Sequence, residues 1–258
     1  GIIDELGEEV TNYFVGEKVM AMTLFGGFSE YILVNADALL RIPKEMDSVT
    51  AAGFTMTYGT SMYGLKQRGC LKSGEKLLVL GAGGGVGITA VEIGKIMGAE
   101  VIAAASSENK LAAAKKAGAD HLINYSEGNI REKIKNIVGS SGIDVLYDPV
   151  GGELFEPCLR SLAWGGRALV IGFASGTIPK LPTNLTLVKG CSVVGVFWGA
   201  FRIKETEEDN KNFEILFKWF KEKKVSPLVS QKFSLENAKE ALLTLATRKA
   251  IGKVIITP

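Results

Sequence analysis

Leu77-Leu78-Val79-Leu80-Gly81-Ala82-Gly83-Gly84-Gly85-Val86-Gly87-Ile88 is an apolar run of strand length that passes through five glycines into a segment of helical period. Four consecutive aliphatic residues without polar alternation fit a strand buried on both faces. Backbone N–H groups at the start of the following helix, reinforced by its dipole, make an anion site. Glycines there let the backbone approach a pyrophosphate and let the helix pack on the strand. The full G-x-G-x-x-G spacing is not met. Ala82-x-Gly84-x-x-Gly87 is, with alanine in the first place. A turn of this kind also occurs for purely structural reasons, so its meaning depends on the flanking sequence.

From Lys76 to about Val196 the same alternation recurs. Strands are expected at Leu77–Gly81, Glu100–Ala105, His121–Asn124, Val145–Tyr147, Ala168–Gly172 and Ser192–Val196. Helices are expected between most of them, as at Val86–Met97, Glu108–Ala117 and Asn129–Val138. Alternating strands and helices predict crossover units and an α/β fold with a doubly wound parallel sheet, the Rossmann arrangement. The glycine turn then reads as a dinucleotide-binding loop with Gly84, Gly85, Val86 and Gly87 against the pyrophosphate. An NAD site expects a carboxylate at the end of the second strand, about 20 residues on. Here the chain reads Ala103-Ala104-Ala105-Ser106-Ser107, with Lys110 one short turn later. Nothing at that strand end repels a 2′-phosphate. Ser106 and Lys110 are placed to bind one, which favours NADPH by about 1.5–3 kcal/mol for a charge-assisted bond.

The flanks read differently. Residues 1–50 show short apolar runs between glycines and polar residues (Gly1–Leu6, Lys18–Thr23, Phe28–Asn35, Leu39–Ile42), expected as strands and turns. Residues 48–70 are partly helical, interrupted at Gly53 and Gly59. Asp209–Lys224 sets Phe213, Leu216, Phe217 and Phe220 on one helical face. Ser234 is placed to cap a further helix. The last strand, Gly252–Ile256, is expected to pair with the β-rich first segment. The chain of 258 residues is 47% hydrophobic and 22% charged, a globular composition. A net charge of +2 gives no argument for a nucleic acid or anionic membrane partner. Three dispersed cysteines without a CxxC pair suggest neither a disulfide framework nor a thiolate zinc site, and fit a reducing intracellular compartment. No apolar run reaches the ~18 residues of a membrane span. The chain begins without Met and without a targeting segment, as expected of a fragment or a processed chain.

Other polar residues near strand ends have ordinary readings. His121, the single histidine, opens the third strand and is expected at its edge. Asp148, after the fourth strand, is expected to order its loop. Gly172 and Phe173, at the end of the fifth, are expected to wall the nicotinamide pocket.

Several motifs together resemble the zinc-independent quinone oxidoreductases of the medium-chain dehydrogenase/reductase superfamily. They are Val15-Gly16-Glu17-Lys18-Val19, Gly26-Gly27-Phe28-Ser29-Glu30-Tyr31, the nucleotide loop, Tyr147-Asp148-Pro149-Val150-Gly151-Gly152, Trp164-Gly165-Gly166-Arg167, Ile171-Gly172-Phe173-Ala174-Ser175-Gly176 and Val196-Phe197-Trp198-Gly199. The resemblance covers the whole chain. It implies a Rossmann domain (residues 63–225) inserted in a GroES-like β domain (1–62 and 226–258). The family pattern begins earlier, with part of the substrate cleft and a tyrosine, so the β domain is expected to be partial. The family's 2′-phosphate lysine falls on Lys110, its I-N-Y tyrosine on Tyr125, its C-terminal arginine on Arg248 and its nicotinamide threonine on Thr60. Phe197 joins the cofactor-binding set. Where zinc-dependent relatives carry a ligand cysteine this chain has Ala52, and a four-cysteine lobe is missing, so no metal is expected. The implied reaction is metal-free hydride transfer from NADPH to quinones or α,β-unsaturated carbonyls. The alternatives are a trans-2-enoyl thioester reductase and a non-catalytic NADPH-binding protein. The resemblance also implies a homodimer through the apolar edge strand Ser192–Trp198, and a cytoplasmic or mitochondrial location.

Overall fold

The computed structural model describes residues 1–23 and 25–258. The chain forms two units, Gly1–Thr57 with Pro227–Pro258, and Tyr58–Ser226.

In the first unit, β1 (Val19–Ala21) pairs antiparallel with β2 (Leu39–Arg41). Ile3, Tyr13 and Val19 bury a small apolar cluster beside them, with Val10 and Leu39 packed against it. Two of the expected strands do not form. Residues 1–6 make only a bridge, Ile2 to Lys18, and loop bonds such as Ile3 N–H to the Glu17 carbonyl at 3.0 Å. Residues 28–35 have no strand beside them among the described residues, and Tyr31 and Leu33 lie exposed. An apolar run becomes a strand only where a ladder partner is in reach.

A single helix, α1 (Ser48–Met62), runs from the first unit into the second. Asp47 starts it: its Oδ1 accepts the Thr50 N–H at 2.8 Å, and this bond holds the carboxyl below its usual range. The expected interruptions at Gly53 and Gly59 do not occur. Gly59 is a point of close approach, since a Cβ there would lie 2.5 Å from the Trp198 ring. The helix continues as a π turn over Tyr63–Arg68.

The second unit alternates as read. Its elements are β3 (Lys76–Leu80), α2 (Gly85–Ile96), β4 (Glu100–Ala105), α3 (Glu108–Lys116), β5 (His121–Asn124), α4 (Ile130–Val138) and β6 (Ile143–Asp148), followed by α5 (Phe155–Leu159), β7 (Leu162–Val170), α6 (Thr183–Lys189), β8 (Ser192–Gly195), α7 (Trp198–Lys204) and α8 (Thr206–Lys221). The six strands form one parallel sheet in the order β5-β4-β3-β6-β7-β8. This is the Rossmann order. On one face Leu78, Leu80, Ile102, Ile123 and Leu146 pack against Ile130 and Ile134 of α4 and Phe155 of α5. Each fully buried aliphatic side chain of this kind contributes roughly 1.5–3 kcal/mol. Asn129 caps α4, its Oδ1 accepting the Arg131 N–H at 2.9 Å. Asn129→Ala should therefore lower unfolding free energy by about 1 kcal/mol in urea titration. A change within error would remove the cap from the account.

Two strand boundaries differ from expectation. β7 begins at Leu162 and ends at Val170, leaving Gly172 in the loop beyond it. β8 stops at Gly195, and Trp198 starts α7 instead of continuing the edge. The cause is a buried polar group. Asp209 is fully buried, and its carboxylate accepts the Trp198 indole N–H at 2.8 Å and an Arg202 N–H at 2.7 Å. Burying a charge demands such partners.

Back in the first unit, β9 (Val229–Ser234), α9 (Ala238–Ala246) and β10 (Lys253–Thr257) form a β-α-β unit. β10 pairs parallel with β9, not with the first segment as expected. A helix between two strands returns the chain alongside its own starting strand. Ser234 does not cap α9 either. A 3-10 turn, Leu235–Asn237, intervenes, and the Ser234 hydroxyl accepts from the Asn237 side-chain amide at 3.0 Å.

Candidate functional site

The strand order reverses direction between β3 and β6, and ligands of such sheets bind outside the carboxyl ends at that point. Gly81 follows β3 with φ +59°, a left-handed conformation that glycine adopts without strain. A Cβ on it would lie 3.0 Å from Val150, in the loop after β6. Asp148 shapes that loop, its Oδ1 accepting the Val150 and Gly151 N–H groups, both at 2.8 Å. Burial pushes its carboxyl upward despite these bonds.

The glycines divide their work. A Cβ on Gly87 would collide with the Gly81 carbonyl, and one on Gly83 with the side-chain stem of Lys110. These two allow close packing. A Cβ on Gly84 would meet only the Gly81 carbonyl, at 3.4 Å, so its other side is open. Gly84 precedes α2, and the N–H groups of Gly85, Val86 and Gly87 fall in the turn that lacks intrahelical acceptors. This open cradle at a helix start fits a pyrophosphate. The cradle is braced from below. Ser61 Oγ bonds the Val86 carbonyl at 3.1 Å, Thr89 Oγ1 at 2.8 Å and Tyr147 Oη at 2.9 Å. Thr60 sits on α1 one residue before this hydroxyl. One helical turn further along α2, Glu92 accepts the Tyr58 hydroxyl at 2.6 Å and the Ser226 N–H at 3.1 Å. Burial raises the Glu92 carboxyl to about 7. Burial and the neighbouring carboxylate push the Tyr58 phenol well above its ordinary range.

At the carboxyl ends of β4 and β5 the structure gathers three predicted residues. Lys110 Nζ lies 3.4 Å from Ser106 Oγ, and the Tyr125 N–H donates to the Ala105 carbonyl at 3.1 Å. Ser126 adds a hydroxyl on the Ser106 carbonyl at 3.1 Å. Two carboxylates also come to this rim, which the linear reading did not foresee. The Asn124 amide donates to Glu108 at 3.0 Å and to Glu127 at 2.9 Å. His121 bonds Glu100 at 2.8 Å on the sheet edge, away from the glycine turn in sequence and strand position.

Gly172, Phe173 and Phe197 lie together at the ends of β7 and β8, lining a cavity of about 600 Å³ with Tyr63, Arg68 and Lys204. Sequence reasoning missed the last three, because no pattern ties them to the strand ends. Arg248 belongs to the first unit, just after α9, with φ +57° and its N–H on the Leu245 carbonyl at 2.9 Å. No helix of the described residues is long and apolar enough to cross a membrane.

The family model described as zinc-binding dehydrogenase matches residues 85–216. The chain is 35% identical over 258 residues to quinone oxidoreductase-like protein 2 of Bos taurus, covering all of this chain and 74% of the relative. It is 30% identical over 263 residues to a 2-haloacrylate reductase of Burkholderia sp, of which 78% is covered. Among solved structures, the Escherichia coli quinone oxidoreductase complexed with NADPH superposes with a TM-score of 0.92 at 28% identity, covering all of this chain and 80% of that one. Among the described residues no three His, Cys, Asp or Glu side chains cluster to hold a metal.

Proposed function

Because the chain belongs to the quinone oxidoreductase family of the medium-chain dehydrogenase/reductase superfamily, we propose that it is an NADPH-dependent reductase of quinones or α,β-unsaturated carbonyls. The observation that carries this reading is the open glycine cradle at the switch point, flanked by Ser106 and Lys110 at the neighbouring strand end. Gly84, Gly85, Val86 and Gly87 hold the pyrophosphate through backbone N–H groups. Ser106, Lys110 and Tyr125 hold the phosphorylated ribose; Arg248, which the resemblance adds to this set, belongs to the first unit. Thr60, Gly172, Phe173 and Phe197 wall the nicotinamide. Bound NADPH supplies a hydride, two electrons with one proton. The chain's part is to bind, orient and exclude water, and positioning of this kind accounts for much of the rate in cofactor enzymes. Asp148 is committed to its loop and His121 to Glu100. Neither is placed as the general acid, and solvent is assigned as the source of the proton that completes reduction. The exposed edge of β8 serves as a pairing edge for a second copy of the chain.

The test is NADPH oxidation followed at its absorbance maximum with 1,2-naphthoquinone as acceptor. Turnover with NADPH well above that with NADH is expected. NADPH uptake without oxidation of any quinone or enone offered would make the chain a binding protein instead.

A further inference from the structure

The cavity at the ends of β7 and β8 is built from the second unit alone and has more than one kind of wall. Four aromatic side chains, Tyr63, Phe173, Phe197 and Phe201, line it. The Tyr63 and Phe201 rings stack with centroids 4.0 Å apart and planes 14° apart. Phe173 and Phe197 are 41% and 74% exposed. Two cations also line the cavity. Arg68 and Lys204 line it against one carboxylate, Glu205. Arg68 comes from the π turn, an irregularity that often marks a working site. Its Nε donates to the Gly195 carbonyl at 2.9 Å, which fixes the guanidinium plane while leaving the terminal nitrogens for another partner. Neither Arg68 nor Lys204 has an ion-pair partner among the described residues.

Aromatic side chains with an oriented fork and a second cation lining the same cavity match one ligand chemistry. A planar conjugated body stacks on the rings, and a carboxylate or sulfonate bonds the cations. At about 600 Å³ the cavity suits a ligand of one or two rings. We propose that this cavity selects acceptors that are planar, conjugated and anionic, with Arg68 and Lys204 as the specificity-determining pair. The proposal rests on the function given above, since Gly172 and Phe173 wall both the cavity and the nicotinamide site.

The experiment is calorimetric titration with 2-naphthoate, a non-reducible probe, alongside neutral 2-naphthol, on the whole chain. The wild type should bind 2-naphthoate the more tightly. Arg68→Gln should weaken it about tenfold, the loss of one charge-assisted bond in an open site, and 2-naphthol by less than about twofold. Lys204→Gln should shift the ratio in the same direction. It sits exposed on α7 with no ion pair among the described residues, so folding is not at stake. No uptake of 2-naphthoate by the wild type, or equal weakening of both probes in both variants, overturns the proposal. Neither outcome depends on turnover, so the quinone assay judges the parent reading separately.

Discussion

Lys110→Glu raises the dissociation constant for NADPH by about 100-fold or more and leaves that for NADH within about twofold. A charge-assisted bond to a phosphate is worth about 1.5–3 kcal/mol, roughly 10- to 150-fold, and reversing the charge adds repulsion to that loss. The side chain is suited to a clean comparison. Its stem lies over Gly83, where no Cβ fits, while its ammonium reaches to within 3.4 Å of the Ser106 hydroxyl. Glutamate keeps the Cβ and Cγ that cover the glycine and changes only what is presented beyond them. Packing of the nucleotide turn is therefore preserved, and NADH, which has no 2′-phosphate, should not register the change. Calorimetry with both nucleotides decides it. Equal weakening of the two would show that Lys110 supports the turn without gripping the phosphate. Raising salt should narrow the wild-type preference, because the lysine is only half-buried and its charge is screened.

The parts of this site that the sequence made legible share one property: they lie at fixed offsets from buried parallel strands. Glu100–Ala105 is bounded to the residue because a buried apolar run between a turn and a polar rim leaves no choice of register, and His121–Asn124, a half-exposed edge strand, is bounded by the turns on either side. Ser106 and Lys110 follow from the first of those boundaries by counting, whereas Tyr125 rests on the family motif. The glycine turn was legible as a cradle, although its division of labour was not. Which glycine packs and which faces outward depends on the Lys110 stem and the Gly81 carbonyl. The rest depends on pairs distant in sequence. Ser61 meets Tyr147 across 86 positions and Glu92 meets Tyr58 across 34, and single hydroxyls or carboxyls on helices leave no periodic trace. The first 50 residues misled because apolar content without a neighbouring ladder looks the same as a strand. Gly53 and Gly59 misled in the opposite direction. Read as breakers, they sit inside one helix, where Gly59 makes room for the Trp198 ring.

Glu92 gives the second large effect, in the pH dependence of stability. Its carboxyl is raised from 4.5 to about 7, first because burial strips its hydration, against the opposing pull of the Tyr58 hydroxyl and the Ser226 N–H. The folded chain therefore holds a proton that the unfolded chain has released. Between those two values the native state binds more protons than the denatured state, so stability falls as pH rises. The contribution is fully present below about pH 4.5 and lost on passing through about pH 7. A shift of this size amounts to about 3 kcal/mol. Glu92→Gln removes the titration. The glutamine oxygen still accepts the Ser226 N–H, and its amide donates to the Tyr58 oxygen. Urea unfolding of the wild type and the variant across pH 5 to 8 should give a difference curve that rises in the variant's favour by about that amount. Other titrating groups act equally on both proteins and cancel. Parallel curves would mean that the carboxyl is already ionised in the folded chain and that the short Tyr58 bond compensates for its burial. The effect should reach the nucleotide site, because Glu92 lies on α2, whose first turn forms the cradle. Ionising it leaves a buried charge within that helix, and NADPH affinity in the wild type should weaken over the same pH range while the variant's stays level.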